Sequence, residues 1–291
     1  MGAQSHQSSR YIENEQLGGK AGVKYSICIT NYNTEDTIRA SISSILSQID
    51  GSYEIVIVDN KSTDASPDIA LEILKKAACR FTFVSDRCSR GRGRQLAFEN
   101  SVGEYILSQI DMDDILLPGA IPATVSLFHK YYEGMFVLIN GLSICPRTLI
   151  YKAGGWEDLQ FREDRLLWWR MAQMGKLVVI PFKMRSYIGP PRASAGRRGL
   201  IKRVISAYGT FRDAFRVRQN LLLHIPMNPK WFAMVPLAIV AYVRSLSMKK
   251  FEQVPLTLDE WFNKYERLEH MPELTLLLRG SSDDQEISNS K

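Results

Sequence analysis

Three carboxylates fall within four consecutive positions of the stretch "DMDD": Asp111, Asp113 and Asp114 around Met112. Like charges this close repel one another, and an ordinary turn needs at most one of them. Hard divalent cations prefer carboxylate oxygens, and Mg²⁺ or Mn²⁺ commonly bridges one or two of them to substrate phosphates. The cluster is therefore either a solvated turn or one wall of a cation and phosphate site. Two further polar clusters follow short apolar runs in the same way: Thr30-Asn31-Tyr32-Asn33 and Asp59-Asn60. Taken singly, each is a loop of turn residues. Three of them in one unit point to a shared ligand.

The elements that must position them can be read from hydrophobic pattern. "KYSICIT", starting at Lys24, reads as a strand, as do "RFTFVS" and "EYILSQI". "YEIVIVDN" is a continuous apolar run of the kind expected in a parallel strand buried on both faces. Between them lie helical stretches. "TIRASISSILSQI" places Ile38, Ile42, Ile45, Leu46 and Ile49 at helical spacing, and "STDASPDIALEILKKAA" opens with capping residues and a proline. "GRQLAFENSV" is a third helix. Strands alternating with helices predict an α/β fold with a mostly parallel, Rossmann-like sheet flanked by helices. In such sheets ligands bind beyond the carboxyl ends of the strands, where all three clusters fall. Past Pro118 the pattern gives a helix in "PATVSLFHKYY", one strand-like run "MFVLING" and a helix in "EDRLLWWRMAQMG". Trp168 and Trp169 in that helix read as core.

The chain has 291 residues, of which 45% are hydrophobic and 23% charged, which excludes a disordered or fibrous protein. The formal net charge of +6 is unevenly placed. Between Pro181 and Lys250 five lysines and nine arginines face a single acid, Asp213, so the rest of the chain is net acidic. A polyanionic partner for this segment follows. Its candidate helix carries Leu200, Val204, Ala207, Tyr208, Phe211 and Phe215 at helical spacing, with basic residues interleaved. That reads as a membrane-surface element. "WFAMVPLAIVAYV" (231–243) is too short to span a bilayer, which needs about 20 apolar residues. It reads as an interfacial helix or as a buried one. Four scattered cysteines without metal-ligand spacing suggest reduced thiols and a cytoplasmic setting. The expected organisation is a flexible tail (1–23), an α/β catalytic unit (24–190), a basic helical appendage (191–275) and a disordered tail (276–291).

From Tyr25 to Lys176 the chain resembles family 2 of the inverting glycosyltransferases, which have the GT-A fold. "ITNYN" looks like the family's opening strand and base-contacting loop, and "VDNKSTDAS" is similar to its V-D-D-G-S-T-D pattern. "DMDD" looks like its D-x-D-D metal motif, and "GGWEDLQFREDRLLWWRMAQMG" like its acceptor-side helix. The resemblance implies that Thr30, Asn31, Tyr32 and Asp59 contact the nucleoside of a donor. It places Asp111 near the ribose and diphosphate, Asp113 as principal metal ligand with Asp111, and Arg94 near the donor. Asp164, in the Glu163-Asp164 pair, matches the general base. Glu163 and Asp164 also suit a helix N-terminus on charge alone. Asn60 and Gln95 depart from the family's aspartate and asparagine while keeping hydrogen-bonding capacity.

The implied cofactors are Mn²⁺ or Mg²⁺ with a UDP- or GDP-linked sugar donor. The implied acceptor is a glycan, favoured as lipid-linked and reached from the cytoplasmic face of the membrane, with no nucleic acid partner. An inverting transfer needs one carboxylate as base, whereas hydrolytic glycosidases need two flanking the bond. A sugar nucleotidyltransferase would need a glycine-rich phosphate loop after the first strand, which "TNYNTED" does not supply. An aspartyl-phosphate phosphatase motif would need threonine or valine where Ile115 sits. A polyanion-binding protein, with the α/β unit as scaffold, is the non-enzymatic alternative.

Overall fold

The computed structural model describes residues 10–13, 22–189, 197–219, 234–255 and 259–278. Its chain order begins with β1 (Arg10–Glu13), β2 (Tyr25–Asn31), α1 (Ile38–Leu46), β3 (Tyr53–Asp59), α2 (Ser66–Leu74), β4 (Arg80–Ser85) and α3 (Arg90–Glu99). It continues through β5 (Tyr105–Asp111), β6 (Asp114–Leu116), α4 (Ala120–Tyr131), β7 (Phe136–Asn140), β8 (Leu142–Pro146) and α5 (Arg147–Lys152). Then come α6 (Glu163–Gln173), β9 (Leu177–Lys183), β10 (Arg185–Tyr187), α7 (Arg197–Arg216), α8 (Val235–Leu246) and α9 (Asp259–Tyr265), with a further helix over 271–278.

Eight strands form one sheet in the order β1-β4-β3-β2-β5-β8-β7-β9. The predicted parallel strands β4, β3, β2 and β5 sit side by side. The chain moves outward from β2 to β4, then returns to place β5 on the other side of β2. That reversal opens a crevice between the carboxyl ends of β2 and β5. Every residue of β3 is buried, as its unbroken apolar run requires. Ile55 and Ile57 face α1, α2 and α4, while Val56 and Val58 face α3, α5 and α6. Each such side chain contributes about 1.5–3 kcal/mol by leaving water. At the opposite end of the sheet Glu54 is fully buried, yet it accepts hydrogen bonds from Ser26 Oγ, Arg80 Nε and the Val102 amide.

The structure differs from sequence expectation in four places. Residues 10–13, within the expected tail, form β1, which pairs antiparallel with β4 and covers an otherwise open sheet edge. The run "MFVLING" is half of a hairpin: Gly141, at φ +99°, turns the chain between β7 and β8. β5 carries one residue more than β2 between their paired positions. Ile27 and Ile29 on β2 match Leu107 and Ile110 on β5, and the bulge puts Gln109 at φ +70°. Finally, the basic region is docked onto the α/β unit. Asp213 of α7 is fully buried and accepts from the Gln160 and Phe161 amides at 2.8 and 3.1 Å. Phe262 of α9 packs on Trp168 with ring centroids 5.5 Å apart, and Leu274 joins the main core. Residues 276–278 close the helix over 271–278; the rest of the expected disordered tail, and residues 190–196, lie outside the described residues. Among the described residues no helix is long and apolar enough to cross a membrane.

Candidate active site

Two cavities meet at the β2/β5 crevice. The first, about 660 Å³, is lined by Thr30, Asn31, Tyr32, Asn60, Asp111 and Asp113 together with Gln160, Phe161 and Ser206. The second, about 400 Å³, is lined by Gln109, Asp164, Trp168, Arg94, Arg185 and Glu266 among others. Asp111 and Arg90 line both.

The first cavity's wall is tied together from below. Asp59 is 1% exposed, and its carboxylate accepts from Asn31 Nδ2 (2.8 Å), Ser62 Oγ (2.6 Å), the Ser62 amide (3.0 Å) and Ser85 Oγ (3.4 Å). Four acceptances saturate a carboxylate. Asp59 and Asn31 thus cross-link the ends of β2, β3 and β4, and Asn60, just past the end of β3, lines the cavity where Asp59 does not. Tyr32 is 58% exposed at the mouth.

Helix α3 brings the cationic face. Its N-terminus lies against the loop before α6 because residue 91 is glycine: a Cβ there would fall 2.0 Å from the Glu157 carbonyl. Ser89 caps it by accepting from the Arg92 amide. Arg90 and Arg94, one turn apart, then face the site. Arg94 is 5% exposed and lies 3.2 Å from Asp164 Oδ2, 3.6 Å from Asp111 Oδ1 and 3.8 Å from Glu163 Oε1. Burial opposes its charge, but these carboxylates outweigh burial and hold Arg94 firmly protonated. Among the described residues its Nε and Nη1 find no hydrogen-bond partner, and both are buried.

Asp164 is fixed from three sides. Its Oδ1 accepts from Gln109 Nε2 at 2.8 Å and Trp156 Nε1 at 3.0 Å, and its Oδ2 faces Arg94. Gln95, the residue that departs from the family pattern, accepts from the Trp156 amide at 2.9 Å and so sets the tryptophan that holds Asp164. Neighbouring Glu163 behaves differently. Burial, then the Asp164 charge, pushes its carboxyl up to about 8, against Arg94 and Arg90.

The acidic cluster answers its own repulsion partly with protein charge. Asp111, Asp113 and Asp114 each offer an oxygen, all within 4.8 Å of one another. Arg185 Nη1 lies 3.1 Å from Asp111 Oδ2 and also bonds Asp114 Oδ2. Burial works against the Asp111 charge, but Arg94 and Arg185 hold it below the usual carboxylate range. Asp114 is raised, by burial and then by its acidic neighbours, in spite of Arg185. The donor set is all carboxylate, with Asp111 and Asp113 facing the first cavity, and suits a hard divalent cation.

The structure therefore gathers every site residue named from the sequence around one crevice, with Asp59 buried behind Asn31 and bonded to its side chain. Gln109, Trp156, Arg90 and Arg185 were not singled out. Gln109 lay within a stretch read as plain strand, and only pairing reveals the bulge.

Residues 26–201 match the sequence profile of "Glycosyl transferase family 2". The chain belongs to that family. Among similar proteins is the Escherichia coli "UDP-Glc:alpha-D-GlcNAc-diphosphoundecaprenol beta-1,3-glucosyltransferase WfgD", 29% identical over 137 residues, covering 43% of this chain and 53% of that one. The chain spans about half the length of the curated relatives it matches first, 49% and 53%. Solved structures share the fold. Staphylococcus aureus TarS 1–349 in complex with UDP-GlcNAc has a TM-score of 0.54 at 16% identity, covering 90% of this chain and 89% of that one. The mannosyltransferase PcManGT from Pyrobaculum calidifontis, in complex with GDP-Man and Mn²⁺, has 0.52 at 16% identity, covering 89% and 86%. The architecture is GT-A.

The Glu163 environment makes a pH-dependent prediction. Its folded value lies above its ordinary 4.5, so the stability tied to the protonated form is complete below about pH 4.5 and drains away as pH rises toward 8. Thermal melts of wild type and Glu163→Gln should show the variant gaining relative stability between about pH 5 and pH 8. A gap that stays constant across that range would contradict the assignment.

Proposed function

We propose that the chain is a metal-dependent inverting glycosyltransferase, moving a sugar from a UDP- or GDP-linked donor to a hydroxyl of a lipid-linked glycan. The observation that carries this reading is the pair of cavities joined at Asp111, with Asp164 held across the junction. A donor in the first cavity would place its nucleoside against Thr30, Tyr32 and Asn60 and its diphosphate beside Asp111 and Asp113. An acceptor in the second would present its hydroxyl to Asp164.

Asp164 is suited to the role of general base. Gln109 and Trp156 engage one oxygen and leave the other, facing Arg94, to take the hydroxyl proton. The acceptor's hydroxyl oxygen then attacks the anomeric carbon from the face opposite the diphosphate, the carbon–oxygen bond to that phosphate breaks, and configuration inverts. A divalent cation held by Asp111 and Asp113 would stabilise negative charge on the departing diphosphate. Arg94, buried and with two nitrogens lacking hydrogen-bond partners among the described residues, adds fixed positive charge beside the reacting groups.

The acceptor class rests on the C-terminal helices and on the substrate in the name of the WfgD relative. Helix α7 leaves Ile201, Val204 and Ile205 exposed, and α8 leaves Ile239, Val240, Tyr242, Val243 and Leu246 exposed, 48–59% each on α8. The helices pack on each other through Phe211, Ala214 and Ala241, so these side chains are surplus to their contact. Apolar stripes in a segment of strongly positive charge suit the surface of an anionic bilayer. The protein then works at the cytoplasmic face, with α7 contributing Ser206 to the donor cavity.

Two tests follow. Asp164→Asn should lower kcat by roughly 10²–10⁴ while donor affinity is kept; normal turnover would refute the base assignment. Wild type should co-sediment with vesicles containing phosphatidylglycerol, and the Ile239→Asp/Val243→Asp double variant should remain in the supernatant with its circular dichroism unchanged. Wild type that ignores such vesicles would rule out the surface role.

A further inference from the structure

Arg185 occupies an unusual position, because its guanidinium sits among the oxygens that would ligate a cation. Nη1 bonds Asp114 Oδ2 and lies 3.1 Å from Asp111 Oδ2. Its presence there is built in by two separate elements. The first is β10, whose pairing with β6 fixes Arg185 opposite Leu116 and Tyr187 opposite Asp114, so the arginine's backbone is anchored beside the acidic loop. The Ile188 amide donates to the Asp113 carbonyl at 2.9 Å and extends that anchoring. The second is the turn between β7 and β8. A Cβ on Gly141 would lie 2.3 Å from Arg185 Cδ, 2.5 Å from Cγ and 2.6 Å from Nε. The arginine stem passes over a position where any side chain would displace it. A mere surface ion pair needs no such passage.

Among the described residues, the positive charges facing the cluster are Arg94, Arg185 and, more distantly, Arg90. With two guanidiniums already against three carboxylates, a divalent cation arriving alone meets a nearly neutralised site and a positive neighbour it must repel. A diphosphate arriving with the cation reverses that balance, because its oxygens offer both the cation and Arg185 a partner.

We propose that Arg185 is a tethered counter-cation that makes divalent cation binding conditional on the nucleoside diphosphate, so that cation and donor enter as a pair. The inference rests on the reading of Asp111 and Asp113 as cation ligands. Its thermodynamic content is a coupling between two ligands, and coupling is reciprocal: the cation strengthens nucleotide binding by the same factor.

The experiment measures Mn²⁺ binding from the electron paramagnetic resonance signal of free Mn²⁺, with and without UDP or GDP. Wild type should bind Mn²⁺ weakly alone and at least tenfold more tightly with the nucleotide it accepts. Arg185→Gln should bind Mn²⁺ at least tenfold more tightly than wild type without nucleotide, and its gain on adding nucleotide should shrink. Gly141→Ala, which pushes the arginine aside and also strains a turn residue at φ +99°, should shift binding in the same direction with its circular dichroism unchanged. Arg185→Lys should fall back toward wild type, separating charge from loss of packing. If Arg185→Gln binds Mn²⁺ no more tightly than wild type, while wild type shows nucleotide-linked binding, the inference is overturned and the cation site stands. If neither binds Mn²⁺ with either nucleotide, both fail.

Discussion

The Arg94 guanidinium sets the terms for everything around it. It is nearly fully buried, yet it faces carboxylates from two different elements, Asp111 at the end of β5 and the Glu163–Asp164 pair at the start of α6. A buried charge that loses its partners costs about 3–5 kcal/mol, so α3, β5 and α6 are held in mutual register by this one group. The same arrangement divides the labour of the two adjacent acids. Asp164 has hydrogen-bond donors and a cation, whereas Glu163 has burial and a negative neighbour, which keep it protonated well above the usual range. Two adjacent carboxyls at one helix N-terminus thus meet different surroundings.

Strain is concentrated beside that centre. The extra residue in β5 leaves Gln109 in a left-handed backbone conformation, uncommon for a non-glycine residue, and its side chain is the one that grips Asp164. Gly91 and Gly141 serve the same end by absence of a side chain, admitting α3 to its loop and Arg185 to the acidic cluster. The interior of the sheet, by contrast, is regular, and its rigidity lets short irregular segments at one end be held accurately.

How much of this could be seen in the sequence depended on how local the cause was. The continuous run of β3 and the alternation of strands with helices reflect burial on both faces, which leaves a mark on consecutive residues. The acidic cluster was legible because repulsion between neighbours in sequence is itself a local anomaly. Arg185 was not, because it meets Asp114 from a three-residue strand 71 positions away. The docking of the basic segment was hidden too, although a signal existed. Asp213 is its only acid, and a lone carboxylate among fourteen cations is there for a structural purpose: capping the 160–161 amides and pairing with Arg212 and Arg216. Asp59 shows the reverse case. Its motif was visible, but only the fold shows its carboxylate saturated from within.

The central claim is that the acidic cluster and the cavity beside it bind a nucleoside diphosphate together with a divalent cation. Isothermal titration of the whole chain with UDP and with GDP, each with and without Mn²⁺, tests it directly. The account predicts saturable binding of at least one nucleotide, strengthened by Mn²⁺, with Asp113→Asn losing the metal dependence. Binding of neither nucleotide, or binding that Mn²⁺ leaves unchanged, would contradict it.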